Sequence, residues 1–326
     1  MGIQRTAPDT VLFATYNLLY LFEDDSPAGR EHYRLVVATI RGLGADVIAV
    51  QEIRAPDAQT AGQRLRQLAG DCGLSCLVPG AGGGAGQAAL AVGAHGFHAG
   101  LMWREGIEPV AGSLRAYGAG DFWHSLACVT LDVGGPLVRH AAHHATPFGR
   151  QLRADQNERL VAALTGGPDG LPVLVGADWN TECADRVRDP DSGDWVLYEP
   201  RDPFATVTWF GDLLYQCEWD YDQRGRRRHR ADRRPGDVLW AGGLHDAAAA
   251  LRAPWQATAG HHPGDPFGAR GIWRRIDAVR VTGEVLSALR AHHVDGGDLA
   301  RQASDHLPVT VEYLPSAIAG RGTGGW

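Results

Sequence analysis

Lysine does not occur in this chain. All 31 basic residues among its 326 are arginine, so there is no Schiff-base lysine, no lysine nucleophile for nucleotidyl transfer and no P-loop lysine. Pyridoxal-phosphate enzymes, covalent ligases and P-loop NTPases are thereby excluded. Cysteine is scarce: five scattered residues, an odd number that forms no disulfide framework. Cys72 and Cys76 lack the second pair that a structural zinc site needs. No run reaches the roughly 18 apolar residues of a membrane span. The nearest is "VLFATYNLLYLF", short enough for a signal h-region. Asn17 interrupts it and no small-x-small cleavage site follows cleanly, so a buried first strand is expected. These absences lead to the expectation of a cytoplasmic protein with no membrane contact and no obligate protein partner. Arginine in place of lysine, with much Ala, Gly and Pro, suits a GC-rich bacterial coding sequence.

What is present is the composition of a globular enzyme, 44% apolar and 21% charged, in a chain long enough to bury a large core. The net charge of -7 argues against a general polyanion binder. One stretch runs the other way. In "DQRGRRRHRADRRPGD" (222–237) seven arginines fall within eleven positions from Arg224 to Arg234. Such a run is either a solvated surface loop or a phosphate-contacting insertion in which Arg226, Arg227 and Arg228 grip oxygens bidentately.

Periodicity alternates strand and helix. "TVLFATYNL" and "ADVIAVQEI" read as buried strands, and "EHYRLVVATIRGLG" sets Tyr33, Val36, Val37, Ile40 and Leu43 on one helical face before Gly44. A helix is expected at about 150–165 with Leu152, Leu160, Val161 and Leu164 inward, then a strand "LPVLVGADWN". Positions 181–241 look irregular, and "RRIDAVRV" and "LPVTVEY" are later strands. No repeat or linker divides the chain. The expectation is one α/β domain over 1–326, with a long insertion at about 186–270 and a flexible tail after about 315.

A series of polar residues marks the strand ends: Asn17, Glu52, His144, Asp178, Asn180, Asp277, Asp305 and His306. Each alone has an ordinary explanation as a turn former, a backbone partner or a satisfied interior histidine. Eight such accidents in series are much harder to accept. Carboxylates and an amide oxygen are hard ligands suited to Mg²⁺, and a histidine beside an aspartate positions a proton. Phosphoester hydrolysis needs this inventory. No HExxH and no GxSxG is present to favour a zinc or serine hydrolase.

The ordered set "TYN … VQE … HHATP … GADWN … RRID … ASDH" resembles the endonuclease/exonuclease/phosphatase superfamily over about residues 10–314. The resemblance implies a four-layer α/β sandwich, two stacked mixed β-sheets flanked by helices. It also implies metal-dependent phosphoesterase activity with Mg²⁺, or Mn²⁺ in its place. By the same resemblance Glu52 is the principal metal ligand, with Asn17 and Asp305 close to the metal or the phosphate. Asp178 orients the attacking water, Asn180 bonds the phosphoryl oxygens, and His306 supported by Asp277 handles charge or a proton. His144 donates to a phosphate oxygen, with His143 as the rival assignment. Two positions depart from the family pattern. Ala177 replaces the usual glycine, and Trp179, expected on the substrate side, replaces the usual phenylalanine.

The "HHATP" segment resembles the deoxyribonuclease, sphingomyelinase and inositol-phosphatase branch rather than the exonuclease III-like one. The expected substrate is a phosphorylated one, a nucleic acid or a small metabolite. The insertion carries Trp195, Trp209, Trp219, Trp240 and Trp255, which either pack it or stack on a base. A non-catalytic relative that binds a phosphate ligand or a protein is the alternative. Retention of every polar position argues against it.

Overall fold

The computed structural model describes residues 9–167 and 169–320. Two sheets form its centre. The first has six strands in the order Leu289–Val294, Val309–Tyr313, Val11–Leu21, Val47–Arg54, Phe97–Trp103 and Leu90–Val92. The second runs His245–Asp246, Asp277–Val281, Val173–Asp178, Val138–His144, Ser125–Asp132 and Glu108–Pro109, with Arg115–Tyr117 also on Ser125–Asp132. Each holds one parallel pair, Val11–Leu21 with Val47–Arg54 and Val138–His144 with Val173–Asp178. The neighbours of these pairs are antiparallel, so both sheets are mixed.

The inner faces meet through Phe13, Val47, Ala49 and Leu101 on one side and Val129, Ala142, Leu174 and Val279 on the other. Burying the valine, leucine and phenylalanine side chains among them contributes roughly 1.5–3 kcal/mol each. The outer face of the six-stranded sheet is covered by helices Pro27–Leu43 and Ala58–Cys72. Helices Arg150–Thr165 and Arg234–Ala241 cover the other. The result is the four-layer α/β sandwich expected from the sequence.

Local signals explain the elements. Helix Pro27–Leu43 starts where the Ser26 side chain accepts from Gly29 N–H at 3.0 Å and stops at Gly44, whose φ of 62° suits glycine. The apolar run near the N-terminus is a strand, buried from Val11 through Leu18. Gly176 is required by the sandwich itself: a Cβ there would lie 2.6 Å from Thr15 Cβ and 3.0 Å from Ala49 Cβ. The two sheets therefore approach closely just below the ends of their strands.

In the 186–270 stretch, Cys217–Tyr221 and Arg227–Ala231 form a hairpin, and His245–Asp246 joins the seven-stranded sheet as its edge. Within 181–241, expected to be irregular, this hairpin and helix Arg234–Ala241 are regular. After the last strand, Pro315–Ala317 make a 3₁₀ turn; the rest of the expected tail lies outside the described residues from position 321 on. All five cysteines are free. Among the described residues no helix is long and apolar enough to cross a membrane.

Candidate active site

Register gathers the polar residues. His144 lies opposite Asp178, and Asp178 opposite Asp277, in one row across three neighbouring strands. On the facing sheet Asn17 lies opposite Gln51, after which pairing slips on both flanks of Glu52. Glu52 itself has a φ of 65°. A bulge with one residue in the left-handed region re-aims a side chain out of the pleat, and here it turns the Glu52 carboxylate to the gap between the sheets. Asp305 and His306 arrive just before the strand Val309–Tyr313.

The contacts are specific. Asn17 Nδ2 donates to Glu52 Oε1 and to Asp178 Oδ2, each at 3.1 Å. Glu52 Oε2 accepts from Tyr20 N–H at 3.0 Å. Asp178 Oδ1 accepts from Asn180 N–H at 3.0 Å, and its Oδ2 lies 3.4 Å from His144 Nε2 and 3.8 Å from His306 Nε2. His306 Nδ1 is 2.8 Å from Asp277 Oδ2, a histidine–carboxylate pair assembled from one residue of each sheet. Ser304 ties its approach, donating to Asn17 O at 2.8 Å and accepting from His306 N–H at 3.1 Å.

Burial and charge set the protonation. Burial opposes charge on His306, but Asp277, Asp178 and Asp305 around it raise its pKa well above the ordinary histidine value. Burial likewise raises Asp277, against the pull of His306. The pair therefore keeps a proton at neutral pH. Burial alone would raise Asp178 too, yet His306, His144 and the Asn180 N–H hold it well below the usual carboxylate range. Glu52 is raised by burial, with His144 opposing and the Asp305 charge adding to the rise.

These groups floor a cavity of about 840 Å³, lined among others by Glu52, His144, Asp178, Asn180, Asp305 and His306. Asn17 and Asp277 are buried beneath it, each 1% exposed. Among the described residues seven non-glycines have positive φ. Five of them, Leu19, Tyr20, Glu52, His95 and Asn180, line this cavity, the clustering expected where function over-determines the backbone.

Strand alternation separates the two histidines. His144 faces the cavity, whereas His143 Nδ1 bonds Ser125 O at 3.0 Å and the ring packs on Phe122 and Trp179. By the same alternation Trp179 points outward from Asp178. It is 2% exposed and donates to Ala278 O at 3.1 Å, so it is a core residue and does not line the cavity. Arg226, Arg227 and Arg228 do not line it either. They sit on the exposed hairpin, where Arg226 pairs with Asp222 at 2.8 Å, Arg228 with Asp220 at 2.9 Å, and Arg227 covers Trp209. The insertion's five tryptophans each lie beneath an arginine: Arg188, Arg227, Arg150, Arg186 and Arg201.

Other residues entered without warning. His124 stacks on His144 with ring centres 3.9 Å apart, and burial together with His144 drives its pKa far down, so it is neutral. Arg274 enters the cavity bonded to Asp265 at 3.0 Å. Arg153 is fully buried on helix Arg150–Thr165 where Leu152 was expected. It donates to Thr146 O, Pro147 O, Asn180 O and Tyr215 O, and burial pushes its pKa down to about 10. Leu152, the adjacent residue, is 39% exposed.

Asp178, Asp277 and His306 bring ligand atoms within 4.8 Å of one another, a spacing that could hold a metal ion. His306 Nδ1 is already engaged by Asp277, which leaves the oxygens as the better donors. Glu52, Asp178 and Asp305 present three hard carboxylates to one cavity, a donor set that fits a cation of the Mg²⁺ type. Asn17 stands among these carboxylates. Its Oδ1 accepts from Leu19 N–H at 3.1 Å while its nitrogen bridges Glu52 and Asp178, so it holds carboxylates in place.

Residues 14–306 match the model of the Endonuclease/Exonuclease/phosphatase family. No curated protein matches the chain. Among solved structures, an AP endonuclease from Archaeoglobus fulgidus is similar at 15% identity and a TM-score of 0.56, covering 93% of this chain and 99% of that one. An endonuclease/exonuclease/phosphatase from Beutenbergia cavernae is 21% identical with a TM-score of 0.52, covering 97% and 73%. A mannosyl-6-phosphatase from Bacteroides thetaiotaomicron is 15% identical with a TM-score of 0.52, covering 92% and 98%.

Proposed function

Because the chain belongs to the endonuclease/exonuclease/phosphatase family, we propose that it is a divalent-metal-dependent phosphoesterase that cleaves its ester by in-line attack of water. The observation that carries this reading is the His306–Asp277 pair at 2.8 Å, standing 3.8 Å from Asp178 across the sandwich. It sets a proton-bearing group beside an ionised carboxylate in one cavity.

Asp178, kept ionised by its neighbours, accepts a hydrogen bond from the attacking water and orients it. His306, kept protonated by Asp277, faces the opposite charge development and delivers a proton or its positive charge to the phosphoryl group. His144 donates from Nε2 to a phosphate oxygen, its ring held flat against His124. Asn180 is fixed by its side-chain bond to Ala145 O at 3.1 Å and borders the phosphate. Asn17 keeps the Glu52 and Asp178 carboxylates at a fixed separation. Glu52 and Asp305 would hold the cation, Mg²⁺ or Mn²⁺, which when bound would supply Lewis-acid stabilisation of the phosphoryl group.

The test is hydrolysis of bis-p-nitrophenyl phosphate by the full chain with Mg²⁺, with EDTA, and with Asp178→Ala. Turnover that requires metal and falls by about 10²-fold or more in the variant is expected. Metal-independent turnover, or a variant as active as the parent, would remove the mechanism. If neither this diester nor a panel of phosphomonoesters is cleaved, the chain is a phosphate-binding relative.

A further inference from the structure

The chemistry of the floor leaves the rest of the cavity unexplained, and the walls are aromatic. His95 and Trp123 lie with ring centres 4.9 Å apart, Trp123 meets Phe148 at 6.2 Å, and Phe148 meets Tyr215 at 5.0 Å. All four line the cavity. A second series, Phe97 to His124 at 5.6 Å and His124 to His144 at 3.9 Å, brings the wall down to the reacting centre. Phe148 and Tyr20 stand at the cavity with 48% of their surfaces exposed. Large apolar rings left in water beside buried polar groups are the signature of a binding wall.

The wall is also held in advance. The guanidinium of Arg153 bonds Thr146 O and Pro147 O on the Phe148 loop and Tyr215 O on the other. A wall fixed before binding loses little freedom when a ligand arrives.

Charge argues in the same direction. Glu52, Asp178, Asp212, Asp265 and Asp305 face the cavity, while Arg274 is the one arginine that lines it among the described residues. That arginine is bonded to Asp265 at 3.0 Å and lies over Phe267 at 3.9 Å. A polynucleotide needs several cations along its backbone, whereas on the hairpin Arg226, Arg228 and Arg230 are paired with their own carboxylates and Arg227 lies over Trp209. Binding energy here comes from rings.

Resting on the phosphoesterase reading for where the phosphate sits, we infer that the substrate is a compact phosphoester bearing one planar aromatic ring system, of phenyl to nucleobase size. The ring lies against Trp123 and Phe148 while the phosphate occupies the floor. A free nucleotide and an aryl phosphate share this chemistry.

Binding tests the inference apart from turnover. Phenylphosphonate and methylphosphonate carry the same anionic head, contain no ester to cleave and differ by a ring. Calorimetric titration of the full chain with Mg²⁺ is expected to show phenylphosphonate binding at least 10-fold tighter. Phe148→Ala and Trp123→Leu, checked for folding by circular dichroism, should each reduce that ratio to about 3-fold or less. Thymidine monophosphate should bind at least as tightly as a ten-residue oligothymidylate at 150 mM salt, which separates a single-ring ligand from a polymer. Equal affinity for the two phosphonates, a ratio that survives both variants, or a clear preference for the oligomer would each overturn the inference. Loss of ester hydrolysis with the ring preference intact would overturn the catalytic reading alone.

Discussion

Two regions of this protein are crowded with charge, and only one of them is built like a site. On the hairpin, Glu218, Asp220 and Asp222 face Arg230, Arg228 and Arg226, and every pair is solvent-exposed. On the cavity floor, Glu52, Asp178, Asp277 and His306 are buried or nearly so, crowd one another, and push one another's proton affinities apart. Exposed pairs contribute little and are screened by salt. Buried, crowded groups are held under electrostatic tension that catalysis can use. Density of charge therefore says little; confinement and incomplete pairing say more.

The sharpest way to break this contrast is at the floor. Asp277→Asn removes the charge that keeps His306 protonated while preserving shape. It should lower kcat by about 10²-fold or more on any cleaved phosphoester, with the fold intact by circular dichroism; turnover within a few-fold of the parent would put the floor on a level with the hairpin.

Next in size is an acid effect on stability. Burial pushes His140 and His143 down to about 3. Above the ordinary histidine value of about 6.5 both folded and unfolded chains hold these rings neutral, so the stability is complete there. Below it the unfolded chain binds protons that the folded chain refuses, so stability falls progressively as pH drops from about 6.5 toward 3. Each ring should remove about 2 kcal/mol between pH 6.5 and 5, read from urea midpoints at the two values. His143→Phe should flatten the dependence, and an unchanged slope would show that this ring is not the titrating group.

The smallest effect belongs to the hairpin. Replacing Arg226, Arg227 and Arg228 together by Gln should leave KM within about 2-fold, since none lines the cavity, and each exposed pair should be worth under about 1 kcal/mol. A several-fold rise in KM would bring the run back to the substrate.

The strands, the helices and their polar ends are legible because they are written in local order, whereas the four-layer stacking is implied only by the resemblance to the family. Alternation and strand-end polarity located Asn17, Glu52, His144, Asp178, Asp277, Asp305 and His306, and register brings them together. Trp179 belongs to the core because alternation from Asp178 points it into the outer layer. The arginine run is ambiguous by composition alone, although the alternating acids Glu218 and Asp220 ahead of it spell cross-strand pairs and Asp222 a turn contact. Arg153 and the Trp123–Phe148–Tyr215 wall were not legible at all. A buried guanidinium whose partners are backbone carbonyls leaves no motif, and rings far apart in sequence meet only through loop packing.

The placement of the last strand has a consequence for how the protein folds. Val309–Tyr313 lies between Leu289–Val294 and Val11–Leu21, so one edge of Val11–Leu21 stays unpaired until this distant strand docks. Asp305 and His306 sit just before this strand. A pairing such as Val11 opposite Tyr313 closes a very large loop, and contacts that distant in sequence are slow to form. Completion of the six-stranded sheet and completion of the cavity floor are thereby coupled, because the segment leading into that strand carries Asp305 and His306 to the side of Glu52 and Asp178.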